Sequence, residues 1–562
     1  MGSLALLPLG PLFFPRIYLI VLFLYFTVFL YSQVNHVCQF YQTSRKIKWT
    51  IRKWNKKLER AKKQAFANEK TAWHDGTPTG SHRHGSSSGG YSSHEEDEAI
   101  VTSTLDEVEE KLQYYQETHY FHAFIIPNYC EPEELLKDTM ERIACHSSAA
   151  SHYGLILAME ESEPGWEGKA RRLQQYFSDR FAHFIITSHP SNIPGESRGK
   201  GSNVAYAARH GCRELIEQKG IDSRRIIITV SDSDAAIPEL YIREVEHALN
   251  TAEDPYHVLC APPIFFSRNC FDVPAAVRVT DITWSAMVMS NLSNSRGMCI
   301  PCSNYSLSWV LADEVGYWDT DADAVGEDMH MWLKCFWKTQ GLVRTAPIYV
   351  PINLTNVQTE GYLSNVNARY VQAKRHYNGV ADVAYTLKHA FHGIPSKVSL
   401  YERVKVCLII LEAHMVPATS GWLMFAAVPL MQFILFPPLA WIAFVDPSQN
   451  PILTSEFYSR LWSLIKLITL CLPLPLFGTL AVYEMLHRMV DREFLHKPKE
   501  ETRKLSNVVD YVHLPVAAWL FMTLPSTLAC IKRLLWQRQE IYITSEKLFR
   551  GDKNGLVTER QL

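Results

Sequence analysis

From Ile17 to Ser44 the chain carries no Asp, Glu, Lys or Arg, and Ile17–Tyr31 is almost unbroken apolar sequence. A helix that crosses a bilayer needs about 20 such residues. A cleaved secretory signal has a shorter apolar core and a small-residue cleavage site. Here ten Lys/Arg follow between Arg45 and Lys63, against one acid, Glu59. Basic clusters of this kind stay on the cytoplasmic side. Residues 1–44 therefore read as an uncleaved anchor, and residues 45–72 as a basic juxtamembrane segment in the cytosol.

Three more candidate spans lie near the C-terminus. Trp422–Val445 has no formal charge, Leu461–Tyr483 has only Lys466, and Tyr511–Ile531 has none. Pro515 and Pro525 should kink the last one. Tyr401–Met415 is shorter and carries Glu402, Arg403, Lys405, Glu412 and His414. It reads as an interfacial amphipathic helix rather than a span. With three C-terminal spans the tail 532–562 would end outside, yet its seven Lys/Arg favour the inside. A re-entrant final segment or an extra span before Trp422 reconciles the two.

Composition narrows the function classes. Lys+Arg is 56 against 58 Asp+Glu, so there is no basic excess of the kind that coats nucleic acid. Twelve cysteines in 562 residues are too sparse for a disulfide scaffold. Cys299-Ile-Pro-Cys302 has CxxC spacing, but no second ligand pair stands near it, so it reads as two thiols of a cytosolic domain. The spans lack paired intramembrane acids, which argues against an ion-coupled transporter. Between Trp73 and Glu98 the sequence falls into Gly, Ser, His and acids, too polar to bury a core. Residues 73–118 read as a linker with a lead-in helix.

From His119 onward, apolar strands alternate with amphipathic helices. Strands are expected at Phe121–Pro127, Tyr153–Met159, Ala182–Thr187 and Arg225–Val230, with helices at Glu133–Cys145, Gly165–Phe181 and Asn203–Gln218. Such alternation implies a mostly parallel α/β sheet with flanking helices, and ligands at the carboxyl ends of its strands. After Val230 comes Ser231-Asp232-Ser233-Asp234. Asp-X-Asp in an extended turn can aim two carboxylates at one hard cation, Mg2+ or Mn2+. The alternative is a solvated acidic turn. Gly199-Lys200-Gly201-Ser202-Asn203 precedes a helix and offers backbone N–H groups and a cation to an anion. The plainer reading is a helix cap with Ser202 at the N-cap. Gly326-Glu327-Asp328 opens a further helix, where a carboxylate either complements the dipole or serves as a general base. Gln372-Ala373-Lys374-Arg375-His376-Tyr377 could hold a diphosphate or form a solvated face.

The ordered set resembles glycosyltransferase family 2, the group containing the cellulose, chitin and hyaluronan synthases. The resemblance covers about His119 to His376 and the flanking membrane segments. It implies a GT-A-like fold and a membrane-bound, cytosol-facing, inverting transferase. Such an enzyme takes a nucleotide-diphosphate sugar, UDP-linked, as donor and a glycan or lipid as acceptor, with membrane lipids around it and no nucleic acid. By that likeness Asp232 and Asp234 hold Mg2+ or Mn2+ on the donor diphosphate, with Lys200 adding charge. Asp328 is the base, and Glu327 its neighbour in the acceptor pocket. Gln372 and Arg375 match the Gln-x-x-Arg-Trp motif. His376 stands where that motif ends in Trp, which shrinks the aromatic platform for a growing chain and argues against processive synthesis. Glu160 and Glu161 stand where the family has an Asp that meets the nucleotide. A rival reading is a transferase-like membrane scaffold without turnover.

These readings divide the chain into anchor, basic segment, linker, a transferase domain over 119–400, membrane helices over 401–531 and a basic tail. They place an integral multi-pass protein in the plasma membrane or the Golgi/ER. A glycosylation sequon engineered beside Lys63 should then stay unmodified, as should Asn291, Asn304 and Asn353 in their natural Asn-X-Ser/Thr sites. A mobility shift removed by endoglycosidase would contradict this orientation.

Overall fold

The structure, a computed structural model, describes residues 2–74, 120–294, 296–321, 324, 326–392, 397–436, 448 and 450–535. Most of the expected linker, residues 437–445 of the expected second span, and nearly all of the basic tail lie outside the described residues.

Seven strands form one sheet: β1 (Phe121–Pro127), β2 (Tyr153–Glu160), β3 (His183–His189), β4 (Ile226–Val230), β5 (Val258–Ala261), β7 (Tyr305–Ser308) and β8 (Arg344–Pro347). Their order is β3-β2-β1-β4-β7-β5-β8, and β6 (Ile264–Phe265) pairs separately with β9 (Ile352–Asn353). Pairing is parallel except around β7, which runs antiparallel to both β4 and β5. Every residue of β1, β2 and β4 is buried, as expected of parallel strands covered on both faces. One face packs Phe124, Leu155 and Ile227 against the helices Glu133–Ala144, Trp166–Tyr176 and Glu239–Asn250. The other packs Ile125, Ile156 and Ile228 against Lys200–Glu217 and Glu327–Lys338. The expected α/β sheet with flanking helices and apolar helices at both ends is therefore present.

Local boundaries differ where tertiary contacts decide them. The third strand continues to His189 because it pairs with β2 as far as Glu160. The expected Asn203–Gln218 helix starts at Lys200, so Ser202 is not its N-cap. The Ser202 hydroxyl instead donates to the carbonyls of Ser197 and Thr320.

Among the described residues, four helices are long and apolar enough to cross a membrane: Pro15–Ala61, Leu400–Leu435, Glu456–Phe494 and Leu505–Leu534. A further short apolar helix, Gly2–Phe13, precedes them. The first is the start of one continuous helix, Pro15–His74. At 1.5 Å per residue it is about 90 Å long, far more than a bilayer's hydrocarbon thickness of about 30 Å. Its basic part is no free solvated face. Phe40, Ile47 and Ile51 are fully buried in the same core as β1 and β2. Thr43 donates to Ser293 Oγ at 2.7 Å, Lys46 to Tyr349 OH at 2.8 Å, and Arg52 pairs with Glu493 at 2.8 Å. The membrane anchor and the sheet domain thus share a hydrophobic core.

The structure also joins Tyr401–Met415 to the following span in one 36-residue helix, Leu400–Leu435. Two of the polar residues that suggested an interfacial helix meet other segments instead. Glu412 accepts from Ser32 Oγ at 3.0 Å and pairs with Arg296 at 2.8 Å, and His414 is buried. Prolines change the winding without ending the helices. A π-turn at Leu423–Ala427 precedes Pro429, and another at Trp519–Thr523 precedes Pro525. Proline removes one i→i−4 bond and crowds the carbonyl four residues back, and a wider turn there accommodates the ring. Before Pro515 the chain is a 3-10 helix, Leu505–His513.

Helices Leu400–Leu435 and Leu505–Leu534 meet at Gly421. A Cβ there would lie 2.7 Å from Thr523 Cγ2 and 2.8 Å from Thr523 Cβ. Small residues allow such approach between membrane helices. Gly421→Val should therefore destabilise the helix pair by about 1–3 kcal/mol, read as a lower unfolding temperature of the detergent-solubilised protein.

Candidate active site

Parallel register sets the site. In the sheet Pro127 lies opposite Ala158, and Ile125 opposite Val230, so the loops after β1, β2 and β4 open on one edge. A cavity of about 1220 Å³ lies at that edge. Asn128 and Glu160 at the strand ends, Asp232, Glu327 and Asp328, and Ser32, His36 and Glu412 of the apolar helices all line it.

The Lys200 ammonium joins the central groups. It is 2.7 Å from Asp232 Oδ1 and 3.3 Å from Glu327 Oε1, and it donates to the Ser303 carbonyl at 3.1 Å. Burial opposes its charge, but Asp232, Glu327 and Asp328 outweigh burial and hold its pKa above the usual lysine range. Glu327 is buried, and burial raises its pKa to about 7. Lys200 opposes that rise, while Asp328 and Asp232 add to it. Tyr305 OH donates to Glu327 at 3.2 Å and itself accepts from the Trp318 indole at 2.6 Å. Asp328 is fixed by two backbone donors, Ser303 N–H at 2.7 Å and Met329 N–H at 2.8 Å.

Antiparallel β7 explains why Ser303 is here. Because it runs against β4, its first residue, Tyr305, lies opposite Val230. Cys302, Ser303 and Asn304 therefore enter the edge where the parallel strands end. Asn304 Oδ1 accepts from the Asp232 N–H at 3.1 Å. Nothing in the local sequence marks these residues, since strand direction decides their place.

The structure brings most of the sequence-selected residues to one cavity. Glu160, Lys200, Asp232, Asp234, Glu327, Asp328, Gln372, Arg375 and His376 all line it. Glu161 does not: it is exposed, and its carboxylate accepts from the Ser191 N–H at 3.1 Å. Asp232 and Asp234 differ sharply. Asp232 meets Lys200, whereas Asp234 is buried and accepts from both the N–H and the hydroxyl of Thr355, just after β9. Among the described residues no three His, Cys, Asp or Glu side chains converge as a ready metal cage. Two hard carboxylates on the wall of an open cavity still suit a cation that completes its shell with substrate phosphates.

Two histidine clusters were not singled out in the sequence. His189 lies between Glu160, at 3.1 Å, and Glu196, at 3.0 Å, and so orients Glu160 at the end of β2. His330 stands one helical turn after Glu327, between Asp382 at 2.6 Å and Asp319 at 2.9 Å, and Lys334 reaches Asp319 at 2.6 Å. The only sequence signal was its i+3 spacing from Glu327.

The His330 clamp ties the start of the Glu327–Lys338 helix to two other segments. Burial opposes its charge, but Asp319 and Asp382 prevail and raise its pKa to about 9 from 6.5. A folded pKa above the unfolded one adds stability that is complete below about pH 6.5 and is lost as pH rises through about 9. The unfolding temperature should therefore fall more between pH 6.5 and 9 in the wild type than in His330→Asn. Parallel curves would show that the ring carries no charge at this site.

No curated protein sequence matches the chain. Solved structures of glycosyltransferases are among those with distant likeness. A mannosyltransferase from Pyrobaculum calidifontis, PcManGT, in complex with GDP-Man and Mn2+, is 15% identical with a TM-score of 0.39, covering 67% of this chain and 97% of its own. S. aureus TarS 1-349 is 9% identical with a TM-score of 0.34, covering 62% and 90%. The model of glycosyl transferase family group 2 matches residues 227–529, from β4 and its acidic loop through the last apolar helix. That is more than half of the 562 residues, and the chain belongs to this family of glycosyltransferases.

Proposed function

We propose that the protein is an integral membrane, inverting glycosyltransferase that moves a sugar from a nucleotide-diphosphate donor, UDP-linked, to a glycan or lipid acceptor. The observation that carries this reading is the cavity itself. The Lys200, Asp232, Glu327 and Asp328 cluster and side chains of the apolar helices line this one cavity. A donor enters from the strand ends, and an acceptor reaches the same centre from the membrane side. The sheet domain, residues 119–400, faces the cytosol, as the basic segment after the anchor directs.

Donor binding falls to the residues at the strand ends. Glu160, held by His189, faces the nucleoside. Lys200 and Arg375 supply positive potential to the diphosphate, and Gln372 and His376 line the wall beside Arg375. Asp232 and Asp234 would hold a Mg2+ or Mn2+ ion, which neutralises charge on a departing diphosphate. That neutralisation matters because a diphosphate brings negative charge toward three carboxylates already grouped around one lysine.

In transfer, the acceptor oxygen bonds to the anomeric carbon on the face opposite the diphosphate. The carbon–oxygen bond to the diphosphate breaks, and its electron pair leaves with the phosphate oxygen. Asp328 takes the acceptor's hydroxyl proton. Its two backbone donors occupy two of the roughly four acceptor positions of a carboxylate, so they orient the group and leave room for that proton. Glu327, against Lys200, lies beside the base in the acceptor pocket.

Asp328→Asn should lower turnover by about 100- to 10,000-fold, the typical contribution of a general base, with donor affinity kept within a few-fold. Asp232→Asn should instead weaken donor binding and its metal dependence. A panel of UDP- and GDP-sugars, with membranes from an expressing cell, measures both. Loss of donor binding with retained turnover in Asp328→Asn would reassign it to binding. Full activity with unchanged metal dependence in both Asp232→Asn and Asp234→Asn would remove the metal assignment.

A further inference from the structure

We propose that the last apolar helix, Leu505–Leu534, does not cross the membrane. It lies along the membrane surface beneath the sheet domain, sets one apolar stripe in lipid, and leaves the tail on the domain's side. The inference concerns the path of the chain and does not depend on the transferase reading.

A spanning helix carries its two ends to opposite sides. From Asp510 to Arg533 is about 35 Å at 1.5 Å per residue, more than the hydrocarbon thickness of about 30 Å. Yet both ends meet the sheet domain. At the first, Asp510 lies 3.3 Å from Arg278, on the Ala275–Asn291 helix, and 3.4 Å from Arg503. Arg503 is fully buried and pairs with Glu484 at 2.8 Å, which fixes the connection from the preceding apolar helix on this side too. At the other end, Ala529, Lys532 and Arg533 line the cavity together with Asp328 and Gly379. Burial pushes the Asp382 carboxyl up, and the Arg533 guanidinium is close enough to oppose that rise. Between the ends, Ala517 and Phe521 pack with Ala373, inside the Gln372–Arg375 motif, and with Ala276 and Tyr370. The helix thus follows the domain along its length instead of leaving it.

Its hydrogen bonds to the Leu400–Leu435 helix fall within residues 414–422, as at a crossing. Ser526 Oγ donates to the His414 carbonyl at 3.4 Å, Thr527 Oγ1 to the Ala418 carbonyl at 3.2 Å, and the Trp422 indole to Thr527 Oγ1 at 2.9 Å. The outer face is apolar. Leu505, Val509, Val512 and Val516 recur every three to four residues and are each at least 67% exposed, while Leu514, Ala517 and Phe521 are buried. Such a two-faced helix rests in the boundary between headgroups and acyl chains. Lipid is the occupant because the helix crossed here exposes Phe425 and Phe433 and is itself apolar enough to enter a bilayer. The path also agrees with the seven Lys/Arg of residues 532–562, which belong on the same side as the basic segment after the anchor.

The test uses the full chain in sealed vesicles. One epitope is inserted between Lys499 and Glu500, both exposed and just ahead of the helix, and a second follows Leu562. Protease added without detergent should remove both epitopes or spare both. Removal of one alone would overturn the proposal. If the insertion at 499 does not fold, the first epitope is moved between Gly89 and Gly90, since Leu400–Leu435 and Glu456–Phe494 carry the chain out and back in between. The untagged wild type then reports depth. Phosphatidylcholine with a diazirine either next to the headgroup or at the acyl terminus is photo-crosslinked, and labelled peptides are mapped by mass spectrometry. The headgroup-side probe should label residues 505–516 at least about threefold more than the terminal probe, as for a helix lying in the interface. Labelling of Val512 and Val516 by the terminal probe at an equal or higher level would place the helix across the bilayer. Absence of labelling by either probe would remove lipid as the partner of the stripe. Either result overturns the proposal.

Discussion

One partly buried cation organises the edge where the parallel strands end. Lys200 opens a helix, Asp232 lies at the start of the loop after β4, Glu327 opens another helix, and the Ser303 carbonyl precedes β7. Three carboxylates, those of Asp232, Glu327 and Asp328, lie close enough to raise its pKa. Without the ammonium those acids would repel one another in a poorly solvated site. Removing one partner of such a buried group strands the others, which is costly. Its position therefore restricts where four separate chain segments can sit. The Glu327 carboxyl records the balance: burial lifts it, and Lys200 restrains the lift.

A second constraint is mechanical. The Pro15–His74 helix is both long and apolar enough to cross a membrane and a core element of the sheet domain. Phe40, Ile47 and Ile51 cannot leave the core without exposing full apolar side chains, worth about 1.5–3 kcal/mol each. The sheet domain is thereby held at a set height against the apolar helices. That rigidity is what lets one cavity be lined by Asp232 of the sheet domain and by Ser32 and Glu412 of the apolar helices. The polar residues just beyond the apolar run, Ser32, His36 and Gln39, line this cavity. They belong to its wall rather than being the incidental end of an apolar run.

The sequence alone determined the elements whose signals are local. The charge-free run after Ile17, the β-branched strand before Asp232 and the order of acidic motifs each follow from residue type and spacing. So do the parallel sheet and the membrane helices, because hydrophobic period and length are written along the chain. Tertiary structure decided the rest. It fused Tyr401–Met415 with the next span, because Glu412 finds Ser32 and Arg296 on other segments. It set Asp234 against Thr355 while turning Asp232 to Lys200, although the two acids are two residues apart. It placed Glu161 outside the cavity and its neighbour Glu160 inside, since successive residues at a strand end face different ways. Ser303 and His330 joined the site through an antiparallel strand and a helical turn. No local pattern encodes such partners, because each is chosen by where distant segments meet once the core has closed.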